Sequence, residues 1–310
     1  MDIDILVWLQ GLRSDALTQI MSFITKFGSE IAAIAIACFA YWCLNRRTGN
    51  RMMLTMLGGL MLNQLLKIVF VAHRPWVRSE RVQPVESALP DATGYSFPSG
   101  HTANATSAYG GLTHDRRVKT MLRVLSWVLI ALIGFSRVYL GVHTPQDVLV
   151  SLALGVALIF LMDALSKKLE SRPKLDVPIA LGIVLIAAAT LLITLFRSYP
   201  AGDTPEDIAR NTGDLFKLVG AVLGMTAGWL LERRTIRFEK PANFLTGLMR
   251  FALGLVVVLA LLRLPKSLLA SLLGDAWGGL VRYMITCFGA LYLWPRLFTL
   301  YEGRLTKTEK

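Results

Sequence analysis

Charge is scarce in this chain. Only 17% of its 310 residues are Asp, Glu, Lys or Arg and 54% are hydrophobic, whereas an ordinary soluble domain carries roughly 25% charged and 45–50% apolar residues. That balance excludes an ordinary soluble enzyme, an intrinsically disordered chain and a collagen-like fibre. Cysteine is scarcer still. Cys38, Cys43 and Cys287 lie in apolar runs without metal-ligand spacing, which argues against a disulfide framework or zinc site and predicts buried packing residues. Residues 1–28 have no basic start, clean apolar core or small-residue cleavage site, so they do not read as a secretory signal. Low-complexity segments are absent. No internal repeat relates the two halves, which leaves an inverted-repeat transporter with little support. No carboxylate cluster is spaced to hold magnesium or calcium, so no metal or other cofactor is expected.

What the chain does have is a surplus of positive charge, 33 Lys+Arg against 21 Asp+Glu, for a formal net charge of +12. In a soluble protein this would suggest nucleic acid. In a chain this apolar it points to membrane asymmetry and an anionic substrate, with membrane lipids as surroundings and no nucleic-acid partner.

The apolar residues fall into runs near the roughly 20 residues a helix needs to cross a bilayer. They lie near 29–45, 52–72, 98–113, 122–140, 146–165, 176–196, 214–231, 243–264 and 276–295. The run 98–113 is the most polar, holding Ser99, His101, Thr102, Asn104 and Thr106, but its neighbours need a return crossing. Residues 1–28 place Ile5, Leu6, Leu9, Leu12, Leu17, Ile20, Met21, Ile24 and Phe27 at helical spacing, which suits an amphipathic helix in the interface or a partly inserted one. Every second connection is basic: Arg46, Arg47 and Arg51; then Arg116, Arg117, Lys119 and Arg123; Lys167, Lys168, Arg172 and Lys174; Arg233, Arg234, Arg237 and Lys240; and finally Arg296, Arg304, Lys307 and Lys310. These belong on the cytoplasmic side. The expected fold is an all-α polytopic membrane bundle, with a six-helix core over 1–168 and about four further membrane helices over 175–310, divided at the charged, proline-bearing stretch 166–178.

Ionisable groups at membrane depth are costly and are functional candidates by default. Three clusters fall at the non-cytoplasmic ends of their helices. In the first, Lys67 and Arg74 are two helical turns apart, able to project from one face, before Pro75 redirects the chain; a snorkelling lysine and an interfacial arginine are the plainer reading. In the second, Phe97-Pro98-Ser99-Gly100-His101-Thr102, Ser99 is an N-cap candidate and the new helix offers N–H groups to an anion; a capped helix with a structural histidine is equally consistent. In the third, Ser136-Arg137-x5-His143-Thr144-Pro145-Gln146-Asp147, Thr144 reads as N-cap, Pro145 as first helical residue and Asp147 as a capping-box acid. Asp147 could also fix the tautomer of His143 and leave its other nitrogen nucleophilic. Three cations, two histidines, a carboxylate and a helix N-terminus fit metal-free phosphoryl transfer, in which fixed donors stabilise the charge of the transferring group.

The pattern Lys67-x6-Arg74-Pro75, Pro98-Ser99-Gly100-His101, Ser136-Arg137-x5-His143-x3-Asp147 resembles the tripartite signature of the type-2 phosphatidic acid phosphatase superfamily. The resemblance covers roughly residues 1–168 and is silent on 175–310. It implies His143 as nucleophile forming a phosphohistidine, Asp147 as its orienting group, and His101 as acid towards the leaving group and later as the base that helps water. It implies Lys67, Arg74 and Arg137 as clamps on phosphate oxygens, Ser99 and the Gly100 backbone as further donors, and no metal. His73 occupies a variable position and receives no role, and His114 in a basic loop is expected to be solvated.

The charge pattern is expected to turn the site to the extracytoplasmic face, where cytosolic phosphoesters are poor candidates and a lipid whose headgroup lies in the outer leaflet is the better one. In a bacterial cytoplasmic membrane the resemblance suggests an isoprenoid pyrophosphate such as undecaprenyl pyrophosphate, or a glycerophospholipid phosphate such as phosphatidate or phosphatidylglycerophosphate. A lipid phosphotransferase and a non-enzymatic lipid transporter on the same fold are the competing readings. The loop 76–97, with Arg78, Glu80, Arg81, Glu86 and Asp91, is expected to form a rim or lid. Gly220-x3-Gly224-x3-Gly228 predicts close helix packing within the chain, and Arg250 and Arg282 are expected to snorkel or to pair with Glu232 or Asp275.

Overall fold

The computed structural model describes residues 2–44, 46–114, 118–199, 203–236 and 238–308. Among them every regular element is helical. In hydrocarbon each backbone N–H and C=O must be paired inside the protein, and a helix does this within one segment. Among the described residues six helical stretches are long and apolar enough to cross a membrane: Arg47–Arg78, Thr120–Tyr139, Pro145–Ser171, Pro173–Phe196, Pro205–Thr235 and Phe244–Arg263. The pair Asp15–Gly28 and Glu30–Leu44, bent by 49°, makes a seventh if it is one crossing. Two expected crossings fall short of that measure although both are helical. Residues 98–113 form α6 (Gly100–Ala105), a π-helical turn (Thr106–Gly110) and α7 (Gly111–Thr113), and are rich in hydroxyls. The last, α13 (Lys266–Phe288), is interrupted at Gly274, whose φ of +78° is left-handed.

The chain divides into two compact units, Met1–Ala37 with Arg51–Leu165, and Cys38–Asn50 with Ser166–Lys310. In the first, residues 1–28 are two helices, α1 (Asp2–Gly11) and α2 (Asp15–Thr25), because Ser14 caps a new start and accepts from the Leu17 N–H. Leu6 and Leu9 of α1 pack with Val82 and Val138. Met21 of α2 packs with Ala88, Ala92, Tyr139, Leu140 and Val142. The N-terminal helices therefore hold the loop after α5 (Pro75–Arg78) against the end of α8 (Thr120–Tyr139). With Val82, Ala88 and Tyr95 buried, that loop is a packed rim. The outward residues of α8, among them Leu122, Leu125, Val128 and Phe135, are exposed, an apolar exterior suited to lipid.

At the other end of this unit Arg51 of α4 (Arg46–Phe70) meets Asp163 of α9 (Pro145–Ser171) at 3.3 Å. The same carboxylate receives His114 Nε2 at 3.4 Å. His114 is thus paired, and edge-on to Phe160, where solvation was expected.

In the second unit α11 (Pro205–Thr235) lies directly on α13. A Cβ on Gly220 would stand 2.0 Å from the Leu280 carbonyl oxygen and one on Gly224 2.1 Å from that of Met284, so the small-residue stripe lets two backbones touch within the chain. Trp42 joins this unit by donating from Nε1 to the Ala290 carbonyl at 3.0 Å. Arg250 of α12 (Phe244–Arg263) is buried and pairs with Glu302, not with Glu232 or Asp275; it also donates to the carbonyls of Trp42 and Glu239 and covers the Phe298 ring. Arg282 donates to the Leu262 carbonyl. A buried guanidinium needs this full set of acceptors, which a carboxylate on one neighbouring helix cannot supply. The three cysteines are free, Cys38 buried and the others half-buried. Of the basic residues that set the expected orientation, Arg116, Arg117, Arg237 and Lys310 lie outside the described residues, as do the side chains of Arg46, Arg304 and Lys307.

Candidate active site

Helix ends build the site. α4 stops at Phe70 and Val71 follows in the left-handed region with φ 47°, a costly setting for a β-branched residue. Lys67 therefore sits in the last turn of α4 while Arg74 lies beyond it, extended before Pro75. The expectation that both project from one helix is corrected on this point. Arg74 reaches the site from a loop, and buried donors fix it: Nε to Gly94 O at 2.8 Å, Nη1 to Val142 O at 3.0 Å and Nη2 to Thr93 O.

α8 ends in a Schellman turn. Gly141, with φ +77°, donates to Val138 O, and Val142 donates to Arg137 O at 3.1 Å. A side chain at Gly141 would also meet Arg13 Nη2 at 2.9 Å and the Pro84 backbone at 3.3 Å. Two residues later a capping box opens α9. Thr144 Oγ1 accepts from the Asp147 N–H at 3.3 Å, and Asp147 Oδ2 accepts from the Thr144 N–H at 2.8 Å. His143 sits between these two motifs, 2% exposed. The spacing from Arg137 to His143 to Asp147 is thus one helix C-cap followed directly by one helix N-cap.

His143 is held at both ring nitrogens. Nδ1 faces Asp147 Oδ2 at 3.4 Å and Nε2 faces Arg74 Nη1 at 3.0 Å. A guanidinium can only donate, so Nε2 must accept, and the proton is on Nδ1 towards Asp147. Asp147 Oδ2 also accepts from Ser96 Oγ at 2.6 Å. Burial, and then the Arg74 charge, hold His143 well below its ordinary value near 6.5 against the pull of Asp147. Two outcomes follow. The acid limb of kcat/KM should lie well below pH 6.5 if His143 is the essential base. Below pH 6.5 the unfolded imidazole takes up a proton that the folded one refuses, so stability should decline as pH falls from 7.5 to 5. Melting temperatures of wild type and His143→Gln across that range check this; the variant should lack the His143 part of the decline.

α6 brings the remaining groups. Ser99 Oγ accepts from the Thr102 N–H and hydroxyl, and Ser99 is tied to α9 by its N–H to Asp147 O at 3.1 Å and by Ser151 Oγ to its carbonyl at 2.9 Å. At Gly100 a Cβ would meet only Asn63 Oδ1, at 4.0 Å, so protein packing leaves that helix start open. His101 is buried and its Nε2 has no hydrogen-bond partner among the described residues. Arg137, Arg74, His143 and Lys67 all bear on it electrostatically. Arg137 is fully buried, gives Nη1 to Thr25 Oγ1 at 3.0 Å, and has no hydrogen-bond partner for Nε or Nη2 among the described residues. Buried polar groups are rarely left unpaired, and these nitrogens are therefore candidates to meet a ligand's oxygens. Among the described residues no group of three His, Cys, Asp or Glu side chains is placed to share a metal ion.

The PAP2 superfamily profile matches residues 48–170, and its companion, "PAP2 superfamily phosphatase, transmembrane extension", matches residues 216–305. Phosphatidylglycerophosphatase B of Bacillus subtilis is 31% identical over 175 residues, 51% of this chain and 80% of that protein. Undecaprenyl-diphosphatase BcrC of the same organism is 32% identical over 186 residues, 57% of this chain and 89% of that protein. The chain belongs to the PAP2 superfamily. This PAP2 protein is an integral membrane lipid phosphatase. The crystal structure of a PAP2-type phosphatidylglycerolphosphate phosphatase from Bacillus subtilis aligns with a TM-score of 0.41 at 28% identity, covering 54% of this chain and 85% of that one.

Around the expected residues of this PAP2 site stand others that sequence reasoning missed. Ser96, Thr25 and the carbonyls of Thr93, Gly94 and Val142 hold Asp147, Arg137 and Arg74 in place, and Arg13 ties the end of α8 to the rim. Only Gly141 carried a local signal, a glycine placed to end α8. The rest become neighbours through folding alone.

Proposed function

We propose that the chain hydrolyses a lipid phosphate or pyrophosphate at the extracytoplasmic face through a phosphohistidine on His143, and that its substrate is an isoprenoid pyrophosphate such as undecaprenyl pyrophosphate. The observation that carries the chemistry is the pair of contacts at His143, Nδ1 to Asp147 and Nε2 to Arg74, which assigns the proton to Nδ1 and leaves the Nε2 lone pair. When a phosphate arrives, its oxygens replace Nε2 as acceptor for Arg74, which keeps its carbonyl partners. Nε2 then attacks phosphorus, forming an N–P bond while the P–O bond to the leaving group breaks. His101 gives the leaving oxygen its proton. Asp147 holds the imidazolium-like ring. Arg137, Lys67 and the Ser99–Gly100 helix start stabilise the charge on the transferring group. Water next attacks phosphorus and loses its proton to His101, and the N–P bond breaks to free phosphate and restore Nε2.

The outward face rests on the basic connections, and the isoprenoid choice on that face together with the likeness to undecaprenyl-diphosphatase. The likeness to phosphatidylglycerophosphatase B favours a second reading, a glycerophospholipid phosphate as substrate. Purified protein should release phosphate in excess chelator, with the highest kcat/KM on undecaprenyl pyrophosphate. Preference for phosphatidylglycerophosphate would give the substrate to the second reading. A phosphorylated acceptor lipid in place of free phosphate would make the chain a phosphotransferase, and release from no lipid phosphate would overturn the enzymatic reading. For the face, Glu86, exposed on the rim, should as Glu86→Cys react with an impermeant thiol reagent in intact cells; reaction only after lysis would reverse the orientation.

A further inference from the structure

We infer that Thr25, on the N-terminal helix pair and outside the family-matched segment 48–170, is a positioning residue for the phosphate site: it aims Arg137 at the substrate. This rests on the proposed role of Arg137 as a phosphate clamp. A guanidinium has three nitrogens and several orientations about its long stem. Arg137 is fully buried, and among the described residues its one side-chain hydrogen-bond partner is the Thr25 hydroxyl, 3.0 Å from Nη1 and 112 residues away in sequence. Thr25 is itself buried. With Nη1 engaged, the unpartnered nitrogens are Nε and Nη2. Those two N–H groups form one edge of the guanidinium plane, the pair that grips two oxygens of a phosphate side by side. Thr25 thus occupies the one nitrogen that does not belong to that edge.

The last turn of α2 is fixed closely enough to serve as such a reference. A Cβ on Gly28 would stand 2.6 Å from Ile133 Cγ2 and 3.0 Å from the His101 carbonyl. Tyr109 Oη donates to Phe27 O at 3.0 Å and Asn104 Nδ2 to Gly28 O at 3.4 Å. Upstream, Arg13 gives Nε and Nη2 to Tyr139 O at 3.1 and 2.9 Å and Nη1 to Gln83 O at 2.6 Å, which ties the helix pair to the end of α8 two residues after Arg137. Both ends of α2 are therefore pinned to the elements that carry Arg137 and His101. Residues 1–28 complete the phosphate site from outside the motif-bearing helices.

The test compares Thr25→Ala with Thr25→Ser. Both remove the methyl group, and only the first removes the hydroxyl. On lipid pyrophosphate, Thr25→Ala should lose about tenfold in kcat/KM, the size of one hydrogen bond to a charged group, and Thr25→Ser should stay within about twofold of wild type. Inhibition by inorganic phosphate should weaken in Thr25→Ala by a similar factor, since the same edge of Arg137 binds it. Thr25→Val, which keeps the volume, should behave as Thr25→Ala. Equal losses in the serine and alanine variants would show a packing effect and overturn the inference, as would an alanine variant with unchanged phosphate inhibition. Arg137→Ala separates the two levels: if it retains full activity, the clamp reading of Arg137 falls, whereas its inactivity alongside a fully active Thr25→Ala removes Thr25 alone.

Discussion

Replacing His143 with alanine should lower phosphate release roughly 10⁴-fold or more, the scale found when a nucleophile is taken from a working constellation. The size follows from how the residue is held. His143 is buried, has each ring nitrogen assigned to one partner, and stands between two capping motifs that define its backbone on both sides. No other described imidazole is placed to take over: His101 Nε2 is reserved for the leaving group in this mechanism, His114 is engaged with Asp163 at the other end of the unit, and His73 lies edge-on to Tyr95. Asp147→Asn should cost about 10³-fold or more, because an amide in that place can present its N–H₂ to Nδ1 and favour the opposite tautomer. The check is a burst experiment with protein quenched in alkaline detergent, which preserves a phosphohistidine. Wild type should carry phosphate in acid-labile, base-stable linkage, and both variants should carry none. Alanine at 143 with wild-type turnover would place the nucleophile elsewhere.

The largest effect on stability is expected in the second unit, from Gly224→Ala. The added methyl would lie 2.1 Å from the carbonyl oxygen of Met284 and 2.9 Å from its carbon. Those are backbone atoms of α13, so no rotamer change relieves the clash and α11 and α13 must separate. Between helices in a membrane, close van der Waals contact is the main attraction, and the whole interface weakens when two backbones move apart. A loss of about 3 kcal/mol or more is expected, at the upper end of overpacking effects. Gly213, on the same helix, is the control: a Cβ there meets nothing within 4 Å. Gly213→Ala should be neutral or stabilising by up to about 1 kcal/mol through helix propensity. Thermal unfolding in one detergent compares the two. Similar melting temperatures would show that the stripe does not hold these helices together.

Local signals in the chain were informative wherever a structure closes over three or four residues. Ser99, Thr144, Pro145 and Asp147 announce helix starts because an N-cap hydrogen bond joins residues three apart, and those caps form. Lys67 and Arg74 were read less well. Their spacing suited one helix, but α4 ends at Phe70, where Val71 takes a left-handed backbone, and Arg74 enters from a loop. Nothing in the sequence favours φ > 0 at a valine. Arg250 was expected to snorkel or to pair with Glu232 or Asp275 and instead is buried and pairs with Glu302, 52 residues away. His114 was expected in water and pairs with Asp163.

By itself, then, the sequence determined the solvent, the class of fold and the chemical inventory. Long apolar runs must be helices in hydrocarbon, and ionisable residues in the ends of such runs are costly enough to be functional candidates. Tertiary structure alone decided which partner each of those residues has: Thr25 for Arg137, Ser96 for Asp147, Arg74 for His143, and the placing of residues 38–50 with the second unit. The physical reason is range. Caps and helical periodicity are set by hydrogen bonds a few residues long and are written in adjacent letters. The partner of a buried charge is whichever acceptor the packing of distant helices brings within 3 Å, and no short stretch of sequence encodes that distance.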